Sequence, residues 1–354
     1  MDDKIYFIGL IILGGIGIIM GLSVISGAGF SNPFASGSEG LFASAFAAVE
    51  TSWVSSVGQF LITFDDFKNS HQEILDEKTS LKVFDVDGFL QKNVMWVATD
   101  NGLFLSRDGG LTWNRFVSSN NEIDADTMVF KVIPASSNGE DFFISVFNGN
   151  VGTVYRTYDY FFHLEKLMDF DNEGAYDIYR QGNYLYFGMS TGQIIRYNLS
   201  TRESKVINVL TSPVLKIDYS KDGNFYLLLR NGSLMKGATL ASKFEKVKIP
   251  GDWFFGSSPI KNVVFDNGVI YILTKDGVFV SYDSGIKFEL LKHIPILKKK
   301  VDVLGVNNGA IYVVSDKKMY ISHDGGDEWS IIYLSNEFKA SSIYFVKNRI
   351  IVSM

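Results

Sequence analysis

Residues 94–110 read VMWVATDNGLFLSRDGG, residues 269–285 read VIYILTKDGVFVSYDSG, and residues 310–326 read AIYVVSDKKMYISHDGG. Each stretch is an alternating apolar run, a polar turn and a second apolar run, which is the pattern of a half-buried strand pair. Each then enters the same kind of turn: SRDGGLTW at 106–113, SYDSGIKF at 281–288 and SHDGGDEW at 322–329. Asp283 and Asp324 lie 41 residues apart, so the pattern recurs at a fixed phase. The turn chemistry accounts for the residue types. An aspartate opening a turn accepts hydrogen bonds from backbone N–H groups ahead of it, and a serine hydroxyl joins the same network. Glycine supplies positive φ. The aromatic that follows starts the next strand and covers the turn from its apolar side.

This Ser-x-Asp-x-Gly-x-Thr-Trp pattern resembles the Asp-box, or BNR repeat, of a β-propeller family. That family includes sortilin-type receptors, a photosystem II assembly factor and bacterial sialidases. The resemblance covers residue 58 to the C-terminus. It implies that Ser106, Asp108, Gly110, Trp113, Ser281, Asp283, Gly285, Ser322, Asp324, Gly326 and Trp329 are structural turn residues between third and fourth strands, away from the usual binding face. The expected fold is all-β: a seven-bladed propeller preceded by one N-terminal transmembrane α-helix. Full copies begin near Leu81, Met128, Ala175, Val214, Ile260 and Val301. The last two strands, in SIYFVKNRIIVSM (342–354), would join two strands from GQFLITFDDFKNSHQEIL (58–75) to make the seventh blade. Such closure removes a free sheet edge. A six-bladed ring with stray end segments is the alternative. The boxes are lost near Ile194–Asn198 and Leu234–Thr239, and Thr157-Tyr158-Asp159 keeps only the aspartate.

Before the repeats, residues 5–26 read IYFIGLIILGGIGIIMGLSVIS without a charge. At about 1.5 Å per residue this run spans a hydrocarbon core of about 30 Å. Residues 1–26 are therefore expected to be a membrane signal-anchor. A cleaved signal is the alternative, given the small residues Ser26-Gly27-Ala28. Lys4 and the amino terminus are the nearest positive charges, which favours an extracytoplasmic propeller. Residues 27–57 read as a Ser/Gly/Ala-rich spacer carrying a short amphipathic helix, with Phe42, Phe46, Val49 and Trp53 on one face.

The formal net charge of −6 argues against a general nucleic-acid binder. The absence of cysteine excludes disulfides and thiolate metal sites. The four histidines form no HExxH-type pair, and no P-loop or nucleophile elbow occurs. Sialidases need an arginine cluster for the substrate carboxylate, and the arginines here do not supply one. No cofactor or metal is expected. The function expected is a non-catalytic scaffold that binds a protein partner, membrane-embedded partners included, through the face made by inter-blade loops and the turns between second and third strands. The candidate contacts are Trp253, Phe254 and Phe255 in PGDWFFGSSP (250–259), with His293 and Lys298-Lys299-Lys300 in another linker. Asp100, Asn101, Asn148–Asn150 and Asp276 are weaker candidates on the same face. A carbohydrate-binding or glycoside-hydrolase-like propeller is one alternative. A structural subunit of a larger envelope complex is another.

Overall fold

A computed structural model describes residues 81–353 apart from breaks at 90–91, 119–121, 125, 137–138, 159–160, 251–259, 297–300, 335–339 and 347–348, together with 11–13, 16–18, 59–63 and 70–74. Most of the expected membrane helix, and all of the amphipathic segment around Phe42–Trp53, lie outside these residues; within 1–26, Ile11–Leu13 and Ile16–Ile18 pair as two short antiparallel strands. Among the described residues no helix is long and apolar enough to cross a membrane.

The repeats fold as a β-propeller. Six four-stranded antiparallel sheets are each built from four consecutive strands. We call these blades 1 to 6; they span residues 83–116, 128–171, 175–209, 214–246, 262–290 and 303–333. Their first strands start at Val83, Met128, Ala175, Val214, Asn262 and Val303, within two residues of the starts read from the repeat. A further four-stranded sheet combines the two ends of the repeat region: Ser342–Val346 pairs with Arg349–Ser353, which pairs with Gln59–Thr63, which pairs with Ser70–Ile74. The end segments are thus joined to one another by Phe60 opposite Ser353 through Thr63 opposite Ile350.

Burial follows strand position. In blade 1 the second strand, Val94–Thr99, and the third, Gly102–Ser106, are buried at every residue. The fourth strands are wet: Ser204–Val209 of blade 3 is exposed or half-buried throughout. The core is divided into clusters, each lying between two neighbouring sheets. Trp96, Leu103 and Leu105 of blade 1 pack with Phe142, Ile144 and Phe161 of blade 2. Ile351 of the composite sheet packs with Met95, Val97 and Phe104 of blade 1, and its neighbour Val352 packs with Tyr312, Val314 and Met319 of blade 6. Period-two alternation of one strand therefore serves two interfaces at once.

The turns closing blades 1, 5 and 6 have a common geometry. Ser106 Oγ donates to Asp108 Oδ1 at 2.8 Å and accepts from Gly110 N at 2.6 Å. Asp108 Oδ1 also accepts from Leu111 N and Thr112 N at 3.0 and 2.9 Å, and its Oδ2 accepts from Thr112 Oγ1 at 2.6 Å. Ser281 with Asp283 and Ser322 with Asp324 repeat the serine–aspartate bond at 2.8 and 2.7 Å. Gly110 and Gly326 sit at φ +96° and +104°, where an L side chain is strained. Trp113, Phe288 and Trp329 cover the turns by packing into the inter-blade clusters. These aspartates are occupied within their own turns and do not converge on a common point. Blade 3 replaces the box with Asn198, whose Oδ1 accepts from Ser200 N and Thr201 N.

Burial alone would raise the Asp108 carboxyl, but the bonds from Thr112, Ser106 and Leu111 hold it down at about 2. A carboxyl depressed in the folded state stabilises above its unfolded value and loses that contribution as pH falls through the folded value. Asp108→Ala is expected to cost about 1–2 kcal/mol at neutral pH. The difference from wild type shrinks between about pH 4 and pH 2, and urea denaturation across that range measures both.

Candidate functional site: the central channel

The first strands of all the four-stranded sheets surround a cavity of about 610 Å³ on the ring axis. The sequence places a charge at nearly the same point of four successive first strands. Phe84-Asp85, Phe130-Lys131, Tyr176-Asp177 and Leu215-Lys216 each put an aromatic or aliphatic residue before the charge, and the charges alternate in sign around the arc. All eight residues line the channel.

The charges tie one blade to the next. Lys131 Nζ lies 2.8 Å from Asp85 Oδ1, while Asp85 Oδ2 accepts from Val132 N at 3.2 Å. Asp177 Oδ2 accepts from Ile217 N at 2.7 Å, and Lys216 Nζ donates to Val263 O at 3.3 Å. Asn262 Nδ2 donates to Leu304 O at 3.1 Å, and Tyr344 Oη to Val83 O at 3.4 Å. The ring interior is therefore stitched by polar groups that apolar packing could not orient.

Removal from water governs the titration of these groups. Burial, reinforced by the adjacent Asp85, pushes Asp87 up to about 6 against the bond from Gly88 N and the Lys131 charge. Burial pushes Asp177 to about 6 as well, against Lys131 and the Ile217 amide. Burial works to deprotonate Lys131, but Asp85 and Asp177 outweigh it and keep its ammonium charged beyond the ordinary lysine range. A carboxyl raised in the folded state binds more protons than in the unfolded chain between about pH 4 and pH 6, so its contribution falls as pH rises through that window. Asp87→Asn is accordingly expected to match wild type in melting temperature near pH 4 and to exceed it at pH 7. Equal differences at both pH values would show that Asp87 titrates normally.

At the linker end of the channel the apolar partners of these charges gather. Phe84 and Tyr176 pack edge-on against Phe130 at 5.2 and 4.9 Å between centroids, and Phe147 stacks on Phe130 at 6.4 Å. Phe147 belongs to this end because it pairs with Met128, where the first strand of blade 2 begins. Met128 and Leu215 are exposed beside them. A partly wet aromatic floor bordered by desolvated charges is suited to holding a peptide or a ring-shaped ligand.

Of the candidates read from sequence, Trp253, Phe254, Phe255, Lys298, Lys299 and Lys300 fall outside the described residues. His293 is exposed in the linker after blade 5, at φ +65°, and does not line the channel. The weaker candidates are engaged by the chain around them. Asp100 Oδ1 accepts from Lys82 N at 2.8 Å, Asn148 Oδ1 accepts from Asn150 N and Val151 N, and Asp276 N donates to Thr274 Oγ1. The channel charges carry only a faint sequence signal, a single charge recurring at one phase of strands that are otherwise apolar.

No family model and no curated protein matches the chain. Solved structures do. A structure described as YCF48 bound to D1 peptide is 15% identical over 86% of this chain and 99% of that one, with a TM-score of 0.61. YCF48 from Cyanidioschyzon merolae is 13% identical over 79% of this chain and 97% of that one, at 0.59. The extracellular domain of the putative hybrid two component system BT4673 from B. thetaiotaomicron is 16% identical over 79% of this chain and 38% of that one, at 0.60. The likeness is one of fold alone. At these identities a shared ring architecture says nothing by itself about which side chains meet a ligand.

Proposed function

We propose that this chain is a non-catalytic binding or assembly scaffold: a closed seven-bladed ring, anchored by its N-terminal apolar segment on the extracytoplasmic side of a membrane, that holds a protein partner on its linker face. The aromatic mouth of the channel carries this reading, because Phe84, Phe130, Phe147 and Tyr176 offer an apolar seat at the end of the channel where the inter-blade linkers enter the first strands. The similar propeller whose description includes a bound D1 peptide supports a peptide segment as the thing held. The Asp-box turns lie on the opposite face and serve as structure.

The test is an affinity capture from detergent-solubilised membranes with the full chain. Wild type is compared with Trp253→Ala/Phe254→Ala/Phe255→Ala and with Leu215→Asp, each checked for a wild-type melting curve. A protein held by wild type and released by both variants supports the reading; one held equally by all three places the contact elsewhere.

A second reading rests on Asp87 and Asp177. Two carboxyls lifted to about 6 in an aromatic-lined channel suit carbohydrate chemistry. Glycan-array binding that survives Leu215→Asp but not Asp87→Asn would favour it.

A further inference from the structure

Blade 4 closes differently from the box-bearing blades 1, 5 and 6 on the face away from the linkers. Residues 237–244 read GATLASKF, with Thr239 at the aspartate's position, and Ser242 Oγ accepts from Thr239 N at 3.1 Å and donates to Thr239 O at 2.6 Å. Asn208 of blade 3 braces this turn, donating to Leu240 O and Ser242 O at 3.2 and 2.8 Å. A short fourth strand, Glu245–Lys246, follows. Phe244, Val247 and Ile249 are buried, which leaves Lys243, Lys246 and Lys248 exposed. From the other side, the box turn of blade 5 is drawn over by its Ser284 carbonyl, which accepts from Lys236 Nζ at 2.9 Å and Tyr226 Oη at 2.8 Å.

Between these two turns lies a groove of about 430 Å³. Its charged lining is Lys236, Lys243, Lys246 and Lys248 against the single carboxylate of Glu245. Lys236 is matched from beneath by Asp222 at 3.0 Å. Lys243 and Lys248 enter no ion pair among the described residues. This basic recess belongs to a chain with a net charge of −6, so the charge is gathered here against the overall balance. Ile286, on the blade 5 turn, lines the same groove and is 82% exposed.

We propose that the groove between blades 4 and 5 binds an acidic segment of a protein partner, with carboxylates against Lys243 and Lys248 and an apolar side chain against Ile286. Complementary charge would orient the segment and speed its arrival. A recess suits an extended chain better than a bilayer, which meets protruding lysines. The site is separate from the channel mouth and stands or falls independently of it.

The test uses the full chain in detergent and a fluorescein-labelled octaglutamate peptide carrying one central leucine, with its octaglutamine counterpart, read by fluorescence anisotropy. Wild type is expected to bind the glutamate peptide at least about tenfold more tightly than the glutamine one, and Lys243→Glu/Lys248→Glu to lose about that factor. Ile286→Ser weakens binding by about threefold. Lys166→Glu/Lys205→Glu changes the net charge equally on blades 2 and 3 and controls for general electrostatics. Equal loss in both charge-reversed variants, or equal affinity of wild type for the two peptides, overturns the proposal. So does groove-dependent binding to phosphatidylserine vesicles with no binding to the peptide.

Discussion

Lys131→Met is expected to lower folding stability at pH 7 by about 3 kcal/mol, the lower end of what breaking a buried ion pair costs. The substitution keeps the aliphatic volume and removes the one cation that Asp85 contacts directly and that also opposes Asp87 and Asp177. What remains is Asp85 and Asp87 on the first strand of blade 1 and Asp177 on that of blade 3, without the cation that lay between them. The lower end of the range applies because 29% of the Lys131 side chain is exposed, toward the channel, where water screens the loss. The penalty should shrink toward pH 4, since Asp87 and Asp177, titrating near 6, are then protonated in the folded protein. Adding Asp85→Asn to Lys131→Met should recover part of the loss at pH 7, as removing both partners leaves no uncompensated pair. Chemical denaturation at the two pH values, with the double-mutant cycle, measures all three effects.

Removing residues 349–354 is expected to abolish the cooperative fold. The strand Arg349–Ser353 is the bridge between Ser342–Val346 and Gln59–Thr63, so its loss separates the two ends of the repeat region. It also takes away Ile350, Ile351 and Val352, which are 5%, 0% and 0% exposed and fill the clusters on both sides of the composite sheet. At about 1.5–3 kcal/mol for each buried side chain, and with the strand pairing lost as well, the deficit approaches the whole stability of an ordinary domain of about 5–15 kcal/mol. Ile351→Ala is the graded version and should cost about 2–5 kcal/mol with the ring intact. Calorimetry separates the outcomes: a single shifted transition for Ile351→Ala, and none for the shortened chain. A shortened chain that still melts in one sharp transition would mean that blades 1 to 6 are stable without the composite sheet.

The repeat was readable because its determinants are local. A serine, an aspartate two residues on and a glycine two further build a turn from their own backbone neighbours, and the alternation around Trp96, Ile272 and Val313 declares strands wherever those residues occur. The pairing of Phe60 with Ser353 was also readable, since two leftover strands at each end had no other partners. The channel was not, because its chemistry is between repeats. Asp85 beside one apolar strand looks like a stray surface charge until the ring sets Lys131 next to it. The blade 4 groove was hidden for a related reason. Its turn had lost the box, and only the neighbouring Ser284 turn shows that Lys243 and Lys248 border a recess.

The central claim is that a partner is held at the linker end of the channel. The most direct measurement places a photo-reactive phenylalanine analogue at position 215, exposed at that mouth, and separately at position 206, exposed on the outer strand of blade 3. The protein is irradiated in whole cells, and cross-linked products are identified by mass spectrometry. The account predicts a discrete protein adduct from position 215 that is missing from position 206. The same adduct from both positions, or one from position 206 alone, would contradict it.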